Sequence, residues 1–200
     1  MALIDGLIEL KKIYEKDDYF KHTLSDVQSR IKTIALVHEE LYKNSDFENI
    51  ELKKYLTDLT NFHKTIFYKA NESRVEFTLD IGHITIDNSK CITIGLLINE
   101  LISNSLKYAL INKRVTVEIE IHDLIDNIII DYKDSGNGLP DKVKIEKEFG
   151  YGLRLLNTFT KQLKGEFHFK DEKHFGIQII IPKEKHKNSR FNNSIRNKTV

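Results

Sequence analysis

The first 45 residues constrain the fold most, because they carry two apolar stripes at helical spacing with one glycine and no proline. The first stripe contains Leu3, Leu7, Leu10 and Tyr14, and the second contains Leu24, Val27, Ile31, Ile34, Ala35, His38 and Leu41. The Asp17-Asp18 pair between them is typical of a short polar turn. The pattern therefore predicts a helical hairpin. Since a lone hairpin cannot bury both stripes, we expect it to associate with a second copy as a four-helix bundle.

The beginning of the chain differs from that of an ordinary helix. The first stripe starts at Leu3, and neither Met1 nor Ala2 can cap a helix as Ser, Thr, Asp or Asn would. An apolar repeat that runs into the first residues indicates a helix truncated at its N-terminus. We therefore expect the chain to be a fragment of a longer protein.

Composition excludes several classes of protein. Hydrophobic residues at 40% and charged residues at 30% of the 200 positions are typical of a globular chain. A single cysteine excludes an intramolecular disulfide and a cysteine-based zinc site, and it favours the reducing cytoplasm. No apolar run approaches the roughly 18 residues that a membrane span needs. Any membrane attachment would have to lie in a part that precedes this chain.

Charge is unevenly distributed along the chain. Residues 183–200 contain six Lys or Arg and one Glu, although the net charge of the whole chain is only +1. This basic tail is rich in Asn and nearly free of large apolar side chains, so we expect a disordered, solvated extension. A contact of the tail with nucleic acid or with an acidic partner is the alternative, although no nucleic-acid partner is expected for the protein.

The remainder of the chain alternates helices with pairs of strands. The predicted helices span about 49–68, 88–109 and 150–163, and the predicted strands span 75–79, 84–86, 115–121, 128–132, 167–169 and 175–181. Strands in antiparallel pairs with helices between them predict an α+β sandwich, with a mixed sheet and three helices on one face. The expected units are a dimerisation hairpin (1–45), an α+β domain (46–182) and the tail (183–200).

One polar stripe lies on the predicted helix 88–109. Glu100, Asn104, Lys107 and Tyr108 are separated by steps of four, three and one, which place them on one side of a helix. The amide oxygen of Asn104 can bind Mg²⁺, and Lys107 can contact a phosphate. The stripe thus suits a phosphate-bearing ligand, although a solvent-facing surface has the same pattern.

Two glycine-containing segments could complete such a site. Asp134, with Gly136 and Gly138, follows a strong strand, so its carboxylate can accept a hydrogen bond from an exocyclic amine such as that of adenine. Gly150 and Gly152, followed by Leu153, open a helix whose free N–H groups can bind phosphate. A plain β-turn and a flexible helix entry are the respective alternatives. No Walker-type P-loop occurs in the sequence.

The order and spacing of these segments carry a family resemblance. An E-x-x-x-N-x-x-K-Y helix, a hairpin, D-x-G-x-G and a G-x-G-L helix start resemble the ATP-binding domain of histidine kinases, type II topoisomerases, Hsp90 and MutL, the Bergerat fold. This resemblance covers roughly residues 49–182. The preceding segment RIKTIALVHEELYKNSDFENIELKKYLTDL resembles the dimerisation helix and linker of one subgroup of sensor histidine kinases.

The resemblance implies a function and a set of roles. It implies a histidine kinase core that binds Mg-ATP, transfers the γ-phosphoryl group to a histidine, and passes it to a response-regulator aspartate. Asn104 would bind Mg²⁺, Asp134 would contact adenine, and Lys107 and Tyr108 would line the nucleotide. Glu100 would position Mg²⁺-bound water or assist the acceptor. The four glycines (Gly136, Gly138, Gly150 and Gly152) would shape the phosphate-binding site and the lid, which is the segment between Leu139 and Phe149.

Two alternatives remain on the same fold. One is a serine kinase of the anti-sigma type, although such domains need no dimerisation hairpin. The other is a nucleotide-sensing or dimerising module without turnover.

The lid between Leu139 and Phe149 is short and charged, and we expect it to be mobile without nucleotide.

The sequence departs from the subgroup at the phosphoacceptor. The acceptor histidine of that subgroup lies in an H-R-x-K-N-N-type motif, and MALIDGLIEL resembles the part just after it. We therefore expect the acceptor to lie upstream of this chain. His38 falls on an apolar stripe and is expected to be a packed interface residue, and His22 has no acid beside it. Cys91 is expected to be buried and inert.

Overall fold

A computed structural model describes residues 2–43, 49–71, 74–109, 111, 114–136, 151–170 and 174–183. Within these residues the helices are α1 (Ala2–Tyr14), α2 (Asp18–Lys43), α3 (Leu52–Asn71), α4 (Asn88–Tyr108) and α5 (Tyr151–Gln162). The strands are β1 (Asn49–Glu51), β2 (Arg74–Ile81), β3 (Thr85–Asp87), β4 (Arg114–Asp123), β5 (Asn127–Asp134), β6 (Glu166–Phe169) and β7 (Gly176–Pro182). The predicted lid and nearly all of the basic tail lie outside the described residues.

The N-terminal hairpin forms as the two stripes predict. Helices α1 and α2 are separated by a short turn, and the carboxylate of Asp17 accepts a hydrogen bond of 2.9 Å from the backbone N–H of Tyr19. This local bond starts α2 at the predicted polar pair. None of the helices in the described part of the chain is long and apolar enough to cross a membrane.

A five-stranded mixed sheet forms the centre of the second part, which confirms the predicted fold class. Its strand order is β2-β4-β5-β7-β6, with β2 and β4 parallel and the other neighbours antiparallel. Alternate residues of β4 are buried, whereas Glu118 and Glu120 between them are exposed. One face of the sheet is therefore apolar. The core residues of α3, α4 and α5 belong to the same apolar cluster as this face.

The sequence prediction was wrong in two places, one in the type of an element and one in the pairing of a strand. Residues 49–51 form strand β1 instead of the first turn of a helix, and β1 pairs antiparallel with β3 through Ile50 and Ile86. Strand β2 does not form a hairpin with β3 but runs parallel to β4, with Val75 opposite Val115. A parallel neighbour needs a long crossover connection, and α4 lies in the chain between β2 and β4. Local alternation could not reveal this long-range pairing.

Helix α4 is the central element of the packing. The side chain of Asp87 caps it by accepting the N–H of Lys90 at 3.0 Å, as predicted. The ring of Tyr55 from α3 lies directly over Gly95, where a Cβ atom would collide with it, and the Tyr55 hydroxyl donates to the carbonyl of Thr33 in α2 at 3.2 Å. The packing thus joins α2, α3 and α4. Cys91 is buried, and burial raises the pKa of its thiol to about 12.

Candidate functional site

The predicted polar stripe of α4 faces α2 at Glu100. This carboxylate is only 4% exposed, and both of its oxygens accept hydrogen bonds from the guanidinium of Arg30. The Nε–Oε1 distance is 2.6 Å and the Nη2–Oε2 distance is 2.9 Å. Such a two-pronged pair is the strongest geometry that an arginine and a carboxylate can form. Glu100 is therefore bound to the N-terminal hairpin.

A second ion pair joins the same two helices at Lys107. Its Nζ atom donates to both carboxylate oxygens of Asp26, at 2.9 and 2.8 Å. The hydroxyl of Ser103 lies 3.5 Å from the same carboxylate. Two of the four predicted stripe residues thus contact α2, and Tyr108 is 83% exposed.

A buried polar cluster lies on the α2-facing side of α4 around Asn99. The Asn99 side-chain oxygen accepts hydrogen bonds from Ser29 Oγ at 2.6 Å and from His63 Nε2 at 3.0 Å, with Thr33 Oγ1 at 3.2 Å. Because this oxygen can only accept, Nε2 of His63 carries the proton. Burial lowers the pKa of His63 to about 4, so the ring is neutral near pH 7.

The structure brings Asn104 together with the start of α5. The Asn104 side chain is half-buried, and a Cβ atom added to Gly152 would lie 3.2 Å from both its Oδ1 and its Nδ2 atoms. A larger residue at position 152 would press on this amide. Leu153 is partly buried and packs on the apolar core.

Asp134 lies at the end of β5, beside the C-terminal end of α4. It is 5% exposed, its Oδ1 atom accepts the N–H of Gly136 at 2.8 Å, and its Oδ2 atom accepts the hydroxyl of Ser105 at 2.5 Å. A Cβ atom on Gly136 would lie 2.7 Å from that of Ala109 and 2.9 Å from Asp134 Oδ1. Glycine at this position allows the chain to turn tightly over the carboxylate.

Several predicted residues lie outside the described part of the chain. Gly138 and Gly150 are among them, as are the side chains of His22 and His38. Among the predicted site residues that are described, Asn104 lies against Gly152, and Asp134 lies against Gly136. Glu100 and Lys107 instead contact α2.

The sequence interpretation missed the residues that hold this site together. These are Asp26, Ser29, Arg30, His63, Asn99, Ser105 and Tyr132. Ser105 left a readable signal, because it follows Leu101 by four positions and Ile102 by three, on the apolar side of α4. A polar side chain in that row needs a buried partner. The α2 residues left no such signal, since polar residues on a helix are ordinarily solvated.

The described residues offer two different groups that could bind a ligand. A buried carboxylate at the end of β5 can accept hydrogen bonds from an amine, and an amide beside the first turn of the 12-residue helix α5 can contact an anion or a hard cation. The part of the chain that the structure describes holds no group of three or more His, Cys, Asp or Glu side chains placed to bind a metal ion.

Two family models match the chain in succession. Residues 1–77 match the family described as histidine kinase, and residues 90–189 match the histidine kinase-, DNA gyrase B- and HSP90-like ATPases. The second match spans half of the chain and includes Asn104, Asp134 and Gly152.

Relatives and solved structures agree with these matches. The sensor histidine kinase PdtaS of Mycobacterium tuberculosis is 22% identical over 90% of this chain and 36% of its own length. The sensor histidine kinase WalK of Bacillus subtilis is 26% identical over 92% of this chain and 28% of its own. The chain thus spans about a third of the length of these curated relatives. The histidine kinase domain of the Erythrobacter litoralis EL346 blue-light activated histidine kinase superposes with a TM-score of 0.67 at 16% identity, over 90% of this chain and 93% of that one.

Proposed function

The chain belongs to the family of histidine kinase-, DNA gyrase B- and HSP90-like ATPases, and from this membership we propose that it is the catalytic core of a sensor histidine kinase. It would bind Mg-ATP and transfer the γ-phosphoryl group to a histidine, for relay to an aspartate of a response-regulator receiver domain. The proposed units are the hairpin (1–45), the ATP-binding domain (46–182) and the tail (183–200). With a single cysteine, we place this module in the cytoplasm.

The observation that carries the proposal is the buried carboxylate of Asp134 at the end of β5. Both of its oxygens are held by donors from the protein, and a carboxylate oxygen can accept more than one hydrogen bond. The exocyclic amine of adenine is a donor that fits this acceptor. Gly136 lets the backbone approach the carboxylate closely, because a Cβ atom at this position would lie 2.9 Å from Asp134 Oδ1.

The proposed magnesium ligand fits the chemistry of this site. Mg²⁺ in nucleotide sites takes one or two protein oxygens and fills its other positions with phosphates and water. The side chain of Asn104, next to Gly152 at the start of α5, offers one such amide oxygen. When bound, the ion would neutralise phosphate charge. Asn104 and the first turn of α5 would orient the phosphates.

Glu100 and Lys107 contact α2 in the structure, and this arrangement favours a role other than the nucleotide contact expected from the sequence. Glu100 is held by Arg30, and Lys107 is held by Asp26, so neither is free to contact nucleotide while α2 rests on α4. We propose that both anchor α2 in this arrangement. A phosphate contact by Lys107 or a water contact by Glu100 would first require these ion pairs to open.

The hairpin supports the proposed homodimer. Apolar side chains on it are well exposed: Leu7 (58%), Leu10 (53%), Ile13 (71%) and Phe20 (41%). Exposed apolar surface of this extent is typical of an interaction site. We propose that a second copy of the hairpin covers these side chains in a four-helix bundle.

Calorimetric titration of the full chain with a non-hydrolysable ATP analogue, with and without Mg²⁺, tests the proposed site. We expect magnesium-dependent binding that Asn104→Ala weakens at least tenfold and that Asp134→Asn weakens without loss of the fold. Asn61→Ala, on the exposed side of α3, and Asp126→Asn, in the exposed β4–β5 turn, are matched controls. Normal binding by both site variants would contradict the assigned residues, and no binding by the unaltered chain would contradict the site itself.

A further inference from the structure

A buried row of hydroxyl groups lies behind Asp134. The Ser105 hydroxyl donates to Asp134 Oδ2 at 2.5 Å, and Ser105 Oγ lies 2.7 Å from the Tyr132 hydroxyl oxygen. Because the single proton of Ser105 is used on Asp134, the Tyr132 hydroxyl donates to Ser105. Tyr132 is 1% exposed and Ser105 is 2% exposed. Neither hydroxyl can therefore reach a bound ligand directly.

The row is fixed by its surroundings. The ring of Tyr132 packs edge-on against Phe175 with centroids 6.3 Å apart, and the carbonyl of Phe175 accepts the N–H of Asp134 at 3.0 Å. The backbone N–H of Gly136 holds the other carboxylate oxygen at 2.8 Å. Donors on both oxygens hold the carboxylate in one plane, with acceptor capacity left on each.

We infer that Ser105 and Tyr132 are positioning residues that set the preference of Asp134 for adenine over guanine. This inference rests on the proposed nucleotide site. Adenine presents an amine where guanine presents a carbonyl oxygen. A carboxylate held as an acceptor bonds the amine and repels the carbonyl. A carboxyl group that could turn, or carry a proton, would accommodate either base.

The size of the effect follows from the bond that is lost. A hydrogen bond to a charged group contributes enough to change a binding constant by about tenfold to a hundredfold. Ser105→Ala removes this bond and leaves the Tyr132 hydroxyl without its acceptor. Tyr132→Phe leaves the bond between Ser105 and Asp134 intact, so its effect is smaller.

The experiment measures the dissociation constants of non-hydrolysable ATP and GTP analogues, with Mg²⁺, for the full chain and its variants. We expect Ser105→Ala to lower the preference for ATP over GTP about tenfold or more, and Tyr132→Phe to lower it by a smaller factor. The matched control is Ser103→Ala, on the same helix, because this hydroxyl lies near Asp26 and not near Asp134. It should keep the preference of the unaltered chain.

The ratio of the two constants separates positioning from general damage. A merely structural role of Ser105 would weaken both nucleotides equally, and an unchanged ratio in Ser105→Ala would overturn the inference. If Ser105→Ala does not fold, as judged by thermal melting, an unchanged ratio in Tyr132→Phe overturns it instead. An unaltered chain that binds neither analogue would overturn the proposed function, and this inference with it.

Discussion

At the residue scale, His63 shows how a titratable side chain is kept neutral inside the fold. Its ring is buried and donates to Asn99, which also accepts from Ser29 of the hairpin. A charged ring here would lose its hydration without gaining an anionic partner from Asn99, since the amide is neutral. The folded protein therefore opposes protonation of His63.

This opposition predicts a dependence of stability on pH. Burial lowers the pKa of His63 from 6.5 to about 4, so the unfolded chain takes up the proton first as the pH falls. The stabilisation is complete above about pH 6.5 and is lost as the pH falls from there towards 4. About 3 kcal/mol of the free energy of unfolding should be lost across this window. Urea unfolding at several pH values measures it.

The matched variants for this measurement are His63→Gln and His83→Gln. A glutamine amide in place of the His63 ring can still donate to Asn99 but does not titrate, so His63→Gln should lose less stability between pH 7 and pH 4 than the unaltered chain. His83 has an 81% exposed side chain, and solvent screens its 3.5 Å contact with Glu51, so its replacement should change stability much less than that of His63. Equal pH profiles for all three proteins would contradict the assignment.

Sequence spacing predicted which residues share a side of α4 but could not identify their partners. The spacing placed Glu100 and Lys107 on one stripe, and in the structure both contact the same neighbouring helix. That neighbour is α2, about 70 to 80 positions away in the chain. Periodicity reports one helix at a time, so a contact between two helices distant in sequence is beyond its reach.

At the element scale, the contact between α2 and α4 is polar and yet partly buried. The side chain of Arg30 is 19% exposed and that of Glu100 is 6% exposed. Removing one partner of such a pair leaves an uncompensated charge, whereas removing both can be nearly neutral. Single and double substitutions should therefore behave very differently.

Single and paired substitutions of Arg30 and Glu100 test this expectation. Arg30→Ala should lower the free energy of unfolding by about 3 kcal/mol, and combining Arg30→Met with Glu100→Leu should restore most of the loss. Lys12→Ala, in the more exposed pair with Glu9, is the control and should cost less than about 1 kcal/mol. Chemical denaturation measures all of these variants. A loss for Arg30→Ala no larger than the control would show that the buried pair does not hold α2 in place.

The elements themselves were largely predictable, and their pairing was not. Helices α4 and α5 begin and end close to their predicted bounds because apolar periodicity and the Asp87 cap are local signals. Strand β1 is short and lies directly before α3, so its residues look like the first turn of that helix. It exists because β3 supplies the hydrogen bonds, and no local pattern encodes that partner.

At the scale of the whole molecule, the two sides of the hairpin serve different contacts. Polar residues of α2 bind α4, and apolar residues of α1 remain exposed. Helix α2 is attached to the sheet domain by its ion pairs with α4 and by Leu36 and Val37, which are buried in the common apolar core, whereas the apolar side chains of α1 stay available for a second hairpin.

This division predicts that the chain is a dimer whose association depends on the exposed side of α1. Leu10→Lys combined with Ile13→Lys places two charges on that side and should shift the dimer to monomer in sedimentation equilibrium. Ile125→Lys is the matched control, because Ile125 is 93% exposed in the β4–β5 turn and should leave the dimer intact. Since neither change touches the sheet core, the thermal transition of the ATP-binding domain should persist in both variants. A monomeric unaltered chain, or a double variant that remains dimeric, would show that the exposed apolar side chains of α1 do not form a dimer interface.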